Sequence, residues 1–330
     1  MSKYTIIKLK DLSPLHMGTG KENYDFSASQ LHSDTLSAAL AAMKAKYKGT
    51  NTNDLYKFLD SFTISSAFPY VGDHLFLPQP LGKMNMEITD CDEYISRKKM
   101  KKVKFIEMGL WQEMIAGKMV QVNRNQLKET FVLDKDNQDE KFYKPYKSCV
   151  HQRVVVPRDE DKDTEPFFFD WTFFHKDAGL YCLVDAEEDT LNELVELFEL
   201  LGEHGIGTDK SVGGGKFTVE KKEVEFTTIA NSSAQMLLSL YIPSKEDVNA
   251  IDLQNSTYEL CLRGGYMAGS DVPEFWHLRK KSIYMFNVGS VFSTKETLVG
   301  KIVELQPSYN DSRMHPVYRS GKPFVIPVNL

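Results

Sequence analysis

Apolar positions near the start of the chain change from alternating to helical spacing. Apolar and polar residues alternate weakly over residues 4–9, which predicts a strand. A loop of small residues follows at 15–20, and Leu36, Leu40 and Met43 then recur at the spacing of a helix. The chain is therefore predicted to open as a strand, a glycine-containing loop and a helix.

The middle of the chain carries short strand patterns around a long segment without clear periodicity. Residues 64–68 and 75–77 are predicted as short strands. Residues 82–150 show no clear period, and we interpret them as an insertion rather than as core. Two hairpins are predicted beyond them, the first with a long charged tip: 153–156 with 167–169, and 171–174 with 180–184.

The clearest helical pattern lies just before a glycine-rich segment. Apolar residues form one stripe along residues 190–201, and the opposite face is acidic. The helix pattern ends near Gly202 and leads into the glycine-rich segment 205–216, after which residues 217–226 are predicted as a strand. With the earlier elements, this order predicts a β-α-β-β-α-β sheet that carries insertions.

A polar stretch at residues 227–234 separates a second group of strand patterns from the first. Helical signal in this second group is weak. We therefore predict an α+β chain of two domains, 1–228 and 229–330. The strands predicted in the second domain are 236–242, 258–262, 282–286, 288–292, 299–305 and 324–328.

Composition places the chain among ordinary globular proteins. Of its 330 residues, 42% are hydrophobic and 26% charged, and no apolar run is long enough for a transmembrane helix. The net charge of −6 does not indicate a nucleic-acid binder, although its distribution matters more than its sum. The four cysteines lack metal-binding spacing, which favours reduced thiols in a cytoplasmic protein without metal or cofactor.

The glycine-rich segment is the strongest single candidate for chemistry. It fails the P-loop pattern, because Gly215 and Lys216 are followed by Phe217 and the segment runs from helix to strand. It also lacks the third glycine of a dinucleotide fingerprint. A glycine-rich turn between Lys210 and Lys216 can aim N–H groups at a phosphodiester. The alternative is a flexible connection without a ligand.

His16 and three basic segments are weaker candidates. His16 could act as a general acid or base in metal-independent RNA cleavage, or it could be a packed residue. The basic run 97–104 fits either a solvated surface or an electrostatic groove for a polyanion. Segments 141–147 and 276–284 interleave rings with cations, a pattern that can stack bases and hold phosphates.

Taken together, these segments resemble the RAMP superfamily of CRISPR proteins. The resemblance is strongest to its 5′-handle-binding group, found as the fourth subunit of Csm-type (type III-A) effector complexes. The order and spacing of the matching segments span most of the chain: 15–18 with 31–36, 68–69, 77–81, 205–217 and 284–292.

The resemblance implies two ferredoxin-like (RRM-like) domains, the first with an insertion at about 82–170 that contains a thumb-like hairpin at about 151–170. It implies a non-catalytic subunit that binds the 5′ repeat-derived handle of CRISPR RNA and caps the complex. The implied partners are the large polymerase-like signalling subunit and the adjacent backbone RAMP subunit, with target RNA nearby and no membrane. Because the chain is acidic overall, we expect the RNA to be held between subunits.

The residues predicted to contact RNA lie in loops and at a helix start, which present N–H donors, or carry positive charge. Two alternatives stay open: an endoribonuclease that processes CRISPR RNA with His16 as acid or base, and a structural capping subunit with little RNA contact. The predicted RNA-binding residues are His16, Gly18, Ser33, Asp34, Arg153, Lys210, Ser211, Gly213, Gly214, Gly215, Lys216, Arg279, Lys280 and Lys281.

Overall fold

A computed structural model describes residues 2–18, 24–137, 144–158, 163–227, 229, 232, 234–267 and 269–329. None of the helices in these ranges combines the length and apolar character that crossing a membrane requires. The helices are α1 Ser33–Lys48, α2 Thr52–Asp60, α3 Glu93–Met100, α4 Met108–Ile115, α5 Glu188–His204 and α6 Lys245–Ala250.

The strands fall into an N-terminal and a C-terminal group. The N-terminal strands are β1 Ser2–Lys10, β2 Phe62–Ile64, β3 Phe68–Val71, β4 His74–Pro78, β5 Met86–Ile88, β6 Phe105–Glu107, β7 Val120–Val122, β8 Leu127–Lys128, β9 Phe131–Val132, β10 Tyr146–Val155, β11 Glu165–Phe174, β12 Ala178–Ala186 and β13 Thr218–Phe226. The C-terminal strands are β14 Ala234–Leu237, β15 Asp252–Thr257, β16 Leu260–Arg263, β17 Ile283–Phe286, β18 Val291–Ser293, β19 Ile302–Glu304, β20 Tyr318–Ser320 and β21 Val325–Val328.

The first sheet has the order β13-β1-β12-β3-β4-β6-β9-β8, with β2 also paired to β12. Its central pairs β13-β1, β1-β12 and β12-β3 are antiparallel. Helices α1 and α5 contribute Leu36, Leu40, Leu194 and Phe198 to one buried cluster with Ile7 of β1. The apolar stripes of the two helices thus cover one face of the sheet, as their spacing predicts.

Residues 82–150 are not a separate insertion beside the core, and our interpretation of them is wrong in this respect. Strands β6, β9 and β8 extend the first sheet. Trp111 and Phe131 are fully buried, and the Trp111 indole N–H donates to the carbonyl oxygen of Pro78 at 2.8 Å. The strands here are only two or three residues long, which is too short for a two-residue period to show in the sequence.

The second predicted hairpin, 171–174 with 180–184, is also wrong. Strand β11 pairs with β10 along ten residues, whereas β12 pairs with β1, β2 and β3 in the first sheet. Residues 178–184 of β12 are all buried. A strand buried on both faces belongs in the centre of a sheet, so the tight turn before β12 does not decide its partner.

The second sheet has the order β15-β18-β14-β21, and the pairs β16-β17 and β19-β20 lie beside it. Each strand predicted beyond residue 234 has a counterpart, which is shorter and whose ends differ from the predicted ones by up to five residues. The helix α6, six residues long, is capped by reciprocal hydrogen bonds between Ser244 and Asp247. The prediction that this region contains little helix is therefore confirmed for the described residues.

A buried ion cluster joins the start of α1 to the C-terminal strands. The Asp34 carboxylate, 2% exposed, pairs with the guanidinium groups of Arg263 and Arg319. Beside it, the Leu240 N–H donates to the Ser33 hydroxyl at 2.9 Å, and the Ser66 N–H donates to the Leu238 carbonyl at 2.8 Å. We call Asp34, Arg263 and Arg319 the inter-sheet cluster.

Candidate nucleic-acid interface

The glycine-rich segment folds into a closed loop at the end of α5. The Ile206 N–H donates to the Gly215 carbonyl at 2.9 Å, and the Gly214 N–H donates to the Asp209 carbonyl at 3.1 Å. Gly215 has a φ of +68°, and a Cβ there would overlap the Ile206 carbonyl group. The loop therefore needs glycine at this position for both its conformation and its packing.

Main-chain hydrogen bonds fasten this loop to the loop that follows β1. The Thr208 N–H donates to the His16 carbonyl at 3.0 Å, and the Gly215 N–H donates to the Pro14 carbonyl at 2.9 Å. The Ser13 hydroxyl donates to the Gly213 carbonyl at 2.8 Å. Two loops that are 200 residues apart in sequence thus form one rigid unit.

The hairpin β10–β11 is the third element at this place. Trp171 lies against Gly214, where a Cβ would come within 2.7 Å of the indole ring. The Arg153 guanidinium pairs with the Asp209 carboxylate of the glycine loop and lies over the Phe169 ring, 4.3 Å from its centroid. The tip of this hairpin, residues 159–162, lies outside the described residues.

Asp170 organises the contact, and the sequence analysis missed it. Its Oδ2 accepts from the Ser27 N–H at 3.0 Å, and its other carboxylate oxygen accepts from the Ser148 hydroxyl. Its main-chain carbonyl accepts from Nδ1–H of His16 at 2.7 Å. Asp170 is the one acidic residue between Pro166 and Phe174, in a strongly aromatic strand, and that isolation was the available signal.

His16 is a packing residue in this arrangement. It is 1% exposed, and its ring centroid lies 4.5 Å from that of Phe169 and 6.2 Å from that of Tyr24. A general acid or base must come within hydrogen-bonding reach of the proton that it transfers. The buried position of the imidazole therefore argues against the endoribonuclease hypothesis.

Cations gather around the exposed side of the glycine loop. Partial burial of the Lys210 ammonium, together with the charge of Lys46, lowers the pKa of Lys210. Burial and the charges of Lys46 and Lys210 also lower the pKa of His204, whose Nε2 lies 3.0 Å from the Lys46 ammonium. Lys216 is exposed beside them. The lysine ammonium groups repel one another, and a bound anion would relieve that repulsion.

A cleft of about 440 Å³ opens between the base of the hairpin and residues 25–31. Phe26, 60% exposed, lies at this cleft, which Ser148 and Asp170 also line. Tyr146 lines it too, and burial raises the pKa of that phenol to about 12. An exposed ring beside hydroxyl and carboxylate groups suits a stacked base with hydrogen bonds to its edge.

The remaining predicted RNA-binding residues lie in different surroundings. Gly18 lies beside Thr208, and Ser211 is exposed on the glycine loop. Ser33 and Asp34 are buried at the inter-sheet contact, so their side chains have little surface to offer RNA. Segment 141–147 is described only from Lys144 onward.

The predicted cations of the C-terminal region are not part of the glycine-loop surface. The Arg279 guanidinium lies 5.1 Å from the centroid of the Tyr266 ring. Burial and the charge of Arg319 lower the pKa of Lys280 to about 8, which associates Lys280 with the inter-sheet cluster. Lys281 is exposed, and its N–H donates to the Leu305 carbonyl. No group of His, Cys, Asp and Glu side chains within the described ranges is arranged to hold a metal ion.

The sequence comparisons that follow all match this chain to Csm4 proteins or to a Csm4 domain. The model of the CRISPR Csm4 C-terminal domain matches residues 230–328. The chain is 26% identical over 314 residues to the CRISPR system Csm4 protein of Mycobacterium tuberculosis, covering 93% of each chain. It is 25% identical over 267 residues to the Csm4 protein of Thermococcus onnurineus, covering 78% of this chain and 83% of that one.

Solved structures of low sequence identity share the fold. A chain of the Csm3–Csm4 subcomplex of the type III-A CRISPR–Cas interference complex matches with a TM-score of 0.63 and 16% identity, covering all of both chains. A chain of a Csm1–Csm4 cassette in complex with cA4 matches with a TM-score of 0.63 and 18% identity, covering 100% of this chain and 99% of that one.

Proposed function

We propose that this chain, which is similar to Csm4 proteins, belongs to the Csm4 family of RAMP proteins, caps a type III-A CRISPR effector complex and holds the 5′ handle of the CRISPR RNA. The single observation that carries the RNA-binding part is the convergence of the His16 loop, the glycine loop and the hairpin β10–β11 on one surface. We further propose that the subunit is not catalytic and acts in the cytoplasm.

Two ferredoxin-like domains, 1–228 and 229–330, account for the strand orders. A β-α-β-β-α-β unit has the spatial strand order 4-1-3-2. The first sheet has this order when its strands β1, β3, β12 and β13 are numbered 1 to 4 along the chain, and α1 and α5 are the two connecting helices. The second sheet repeats this order with β14, β15, β18 and β21. In the described residues, the strand pair β19–β20 lies between the third and fourth strands of this unit along the chain, at the position of the second helix of a β-α-β-β-α-β unit.

In this proposal the RNA backbone follows the exposed side of the glycine loop. Lys46, Lys210 and Lys216 hold phosphates, and the Phe26 cleft receives a base. The hairpin β10–β11 acts as the thumb-like element, because exposed apolar side chains, including Val154 and Phe168, lie along it. Arg153 and His16 hold these elements together from beneath.

An open strand edge supports docking of a protein subunit. The N–H and carbonyl groups of Phe286 form hydrogen bonds with Tyr241, on the side of β17 that faces away from β16. Leu260 lies opposite Phe286 in β16, so this is a non-hydrogen-bonded pair, and the main-chain groups of Leu260 point away from β17. The same alternation turns the main-chain groups of Leu262 outward. No strand within the described ranges pairs with that edge, and the two leucines are 49% and 57% exposed. The similar structures contain Csm1 or Csm3 beside Csm4, and we propose that a strand of such a partner covers this edge.

The RNA-binding part is tested by charge reversal on the glycine loop. The chain is expressed with its neighbouring subunits and purified, and the bound RNA is quantified and its 5′ ends are sequenced. We expect guide RNA with one fixed 5′ end, and a loss on the order of tenfold in Lys210→Glu, Lys216→Glu. The control is Lys245→Glu, Lys295→Glu, two exposed lysines of the C-terminal region. Equal RNA content in both variants would favour a capping subunit with little RNA contact.

The open edge makes a separate prediction about subunit assembly. Leu262→Lys places a charge beside unpaired main-chain groups, and we expect one protein subunit to bind about tenfold more weakly. Val299→Lys, at a comparably exposed valine, is the control. The measurement is subunit stoichiometry in the purified complex. Full occupancy of every subunit in Leu262→Lys would show that this edge is not an interface.

A further inference from the structure

The helix α3 and the chain segment before β5 enclose a groove of about 470 Å³. Three methionines, Met84, Met86 and Met100, line it together with Leu81. The Leu81 N–H donates to the Gly289 carbonyl at 2.8 Å, which fastens one wall of the groove to the C-terminal region. Methionine side chains adapt to irregular apolar partners and are common at protein-binding surfaces. We call this the methionine groove.

Five lysines lie in α3 and just beyond it, and one of them, Lys101, lines the methionine groove. We call these neighbours along the chain the lysine rim: Lys98, Lys99, Lys101, Lys102 and Lys104. None of them forms an ion pair with another residue of the described ranges. Cations in the last turn of a helix are stabilised by its dipole, which accounts for Lys98 and Lys99. The other three lie beyond the end of α3, where that explanation does not apply.

We propose that the methionine groove and its lysine rim dock an acidic segment of a partner protein. A large apolar side chain of that segment enters the groove, and its carboxylates lie against the lysines. Charge complementarity selects this occupant, because the lysine rim offers unpaired positive charge beside an apolar floor. The inference rests on the proposed function in one respect, since it needs a complex of several subunits.

RNA is the less suitable occupant of this site. No aromatic ring of the described residues lines the groove, so a base inside it would have no ring on which to stack. The lining also includes the Glu87 carboxylate, which accepts from the Gln121 side chain at 2.8 Å and would repel a phosphodiester. An apolar side chain flanked by carboxylates avoids both problems, because only the apolar group enters the groove.

Carbodiimide coupling tests the occupant directly, because it joins lysines to carboxylates that touch them. The purified wild-type complex is treated, digested and analysed by mass spectrometry. We expect the rim lysines to couple to Asp or Glu residues of one segment in a partner subunit. An assembled complex without such products would overturn the proposed docking site but not the proposed function. Ultraviolet crosslinking of RNA to residues 97–104 would do the same. A wild-type chain that recruits no subunit would refute the proposed function as well.

Two matched pairs of variants separate charge from shape. Lys98→Glu, Lys102→Glu is expected to slow partner association by about tenfold at low salt and less at high salt, whereas Lys245→Glu, Lys295→Glu leaves it unchanged. Ser96 lines the groove, so Ser96→Trp fills it and is expected to weaken partner binding by about tenfold, whereas Ser96→Ala does not. Unchanged association in both test variants would overturn the proposal.

Discussion

Replacing Asp34 with alanine is expected to lower the free energy of unfolding by about 3–5 kcal/mol, because it leaves the Arg263 and Arg319 charges buried without a partner. Glu223→Ala is the matched control. It breaks the Lys3–Glu223 pair, whose side chains are both well exposed, and is expected to cost less than about 1 kcal/mol. Urea titration of both variants measures the difference. Equal stability of the two variants would contradict the structural role of the inter-sheet cluster.

The same cluster has a defined pH dependence. Burial alone would raise the pKa of the Asp34 carboxyl, but the charges of Arg263 and Arg319 outweigh it and lower that pKa from 3.8 to about 2. A lowered folded-state pKa means that the stabilisation is present above the unfolded value and lost as pH falls through the folded one. The difference in stability between wild type and Asp34→Ala is therefore expected to shrink between about pH 4 and pH 2.

Alanine at Gly215 is expected to destabilise the protein by roughly 3 kcal/mol or more, since the new Cβ overlaps the Ile206 carbonyl and the residue has a positive φ. The loop would have to open, and its hydrogen bonds from Gly215 to Pro14 and from Ile206 to Gly215 would weaken. Because the same loop carries Lys210 and Lys216, guide RNA should be lost from the complex as well. Thermal unfolding and RNA content are the two measurements.

Gly213 provides the control for this substitution. Its φ is +89°, but a Cβ there would meet no atom within 4 Å. Gly213→Ala therefore tests backbone strain without overlap, and we expect a cost of only about 1–2 kcal/mol. If Gly213→Ala and Gly215→Ala were equally destabilised, close packing of the glycine loop would not be the reason for its glycines.

The structure also separates the predicted site residues by what surrounds them. Lys210, Ser211 and Lys216 lie on the exposed side of the glycine loop, where a ligand can reach them. Gly214 and Gly215 are buried and shape that loop from within. Residue type alone could not make this distinction, because a glycine that approaches a ligand and one that approaches another main chain look the same in a sequence.

Elements with long, local patterns could be predicted from the sequence alone. Strand β1 is confirmed, and the apolar stripe of 190–201 lies within α5. The similarity to Csm4 proteins is also confirmed, since the order and spacing of the matching segments can be read from the sequence. These features depend on the repeat of apolar residues along one element, which needs no knowledge of distant neighbours.

Contacts between residues far apart in sequence, by contrast, became known only from the folded chain. It buried Asp34 between Arg263 and Arg319, and it placed His16 beneath the hairpin β10–β11. It also made the short strands β6, β8 and β9 part of the first sheet. Two residues far apart in sequence carry no local sign of their contact, since burial and pairing depend on how the whole chain closes around them.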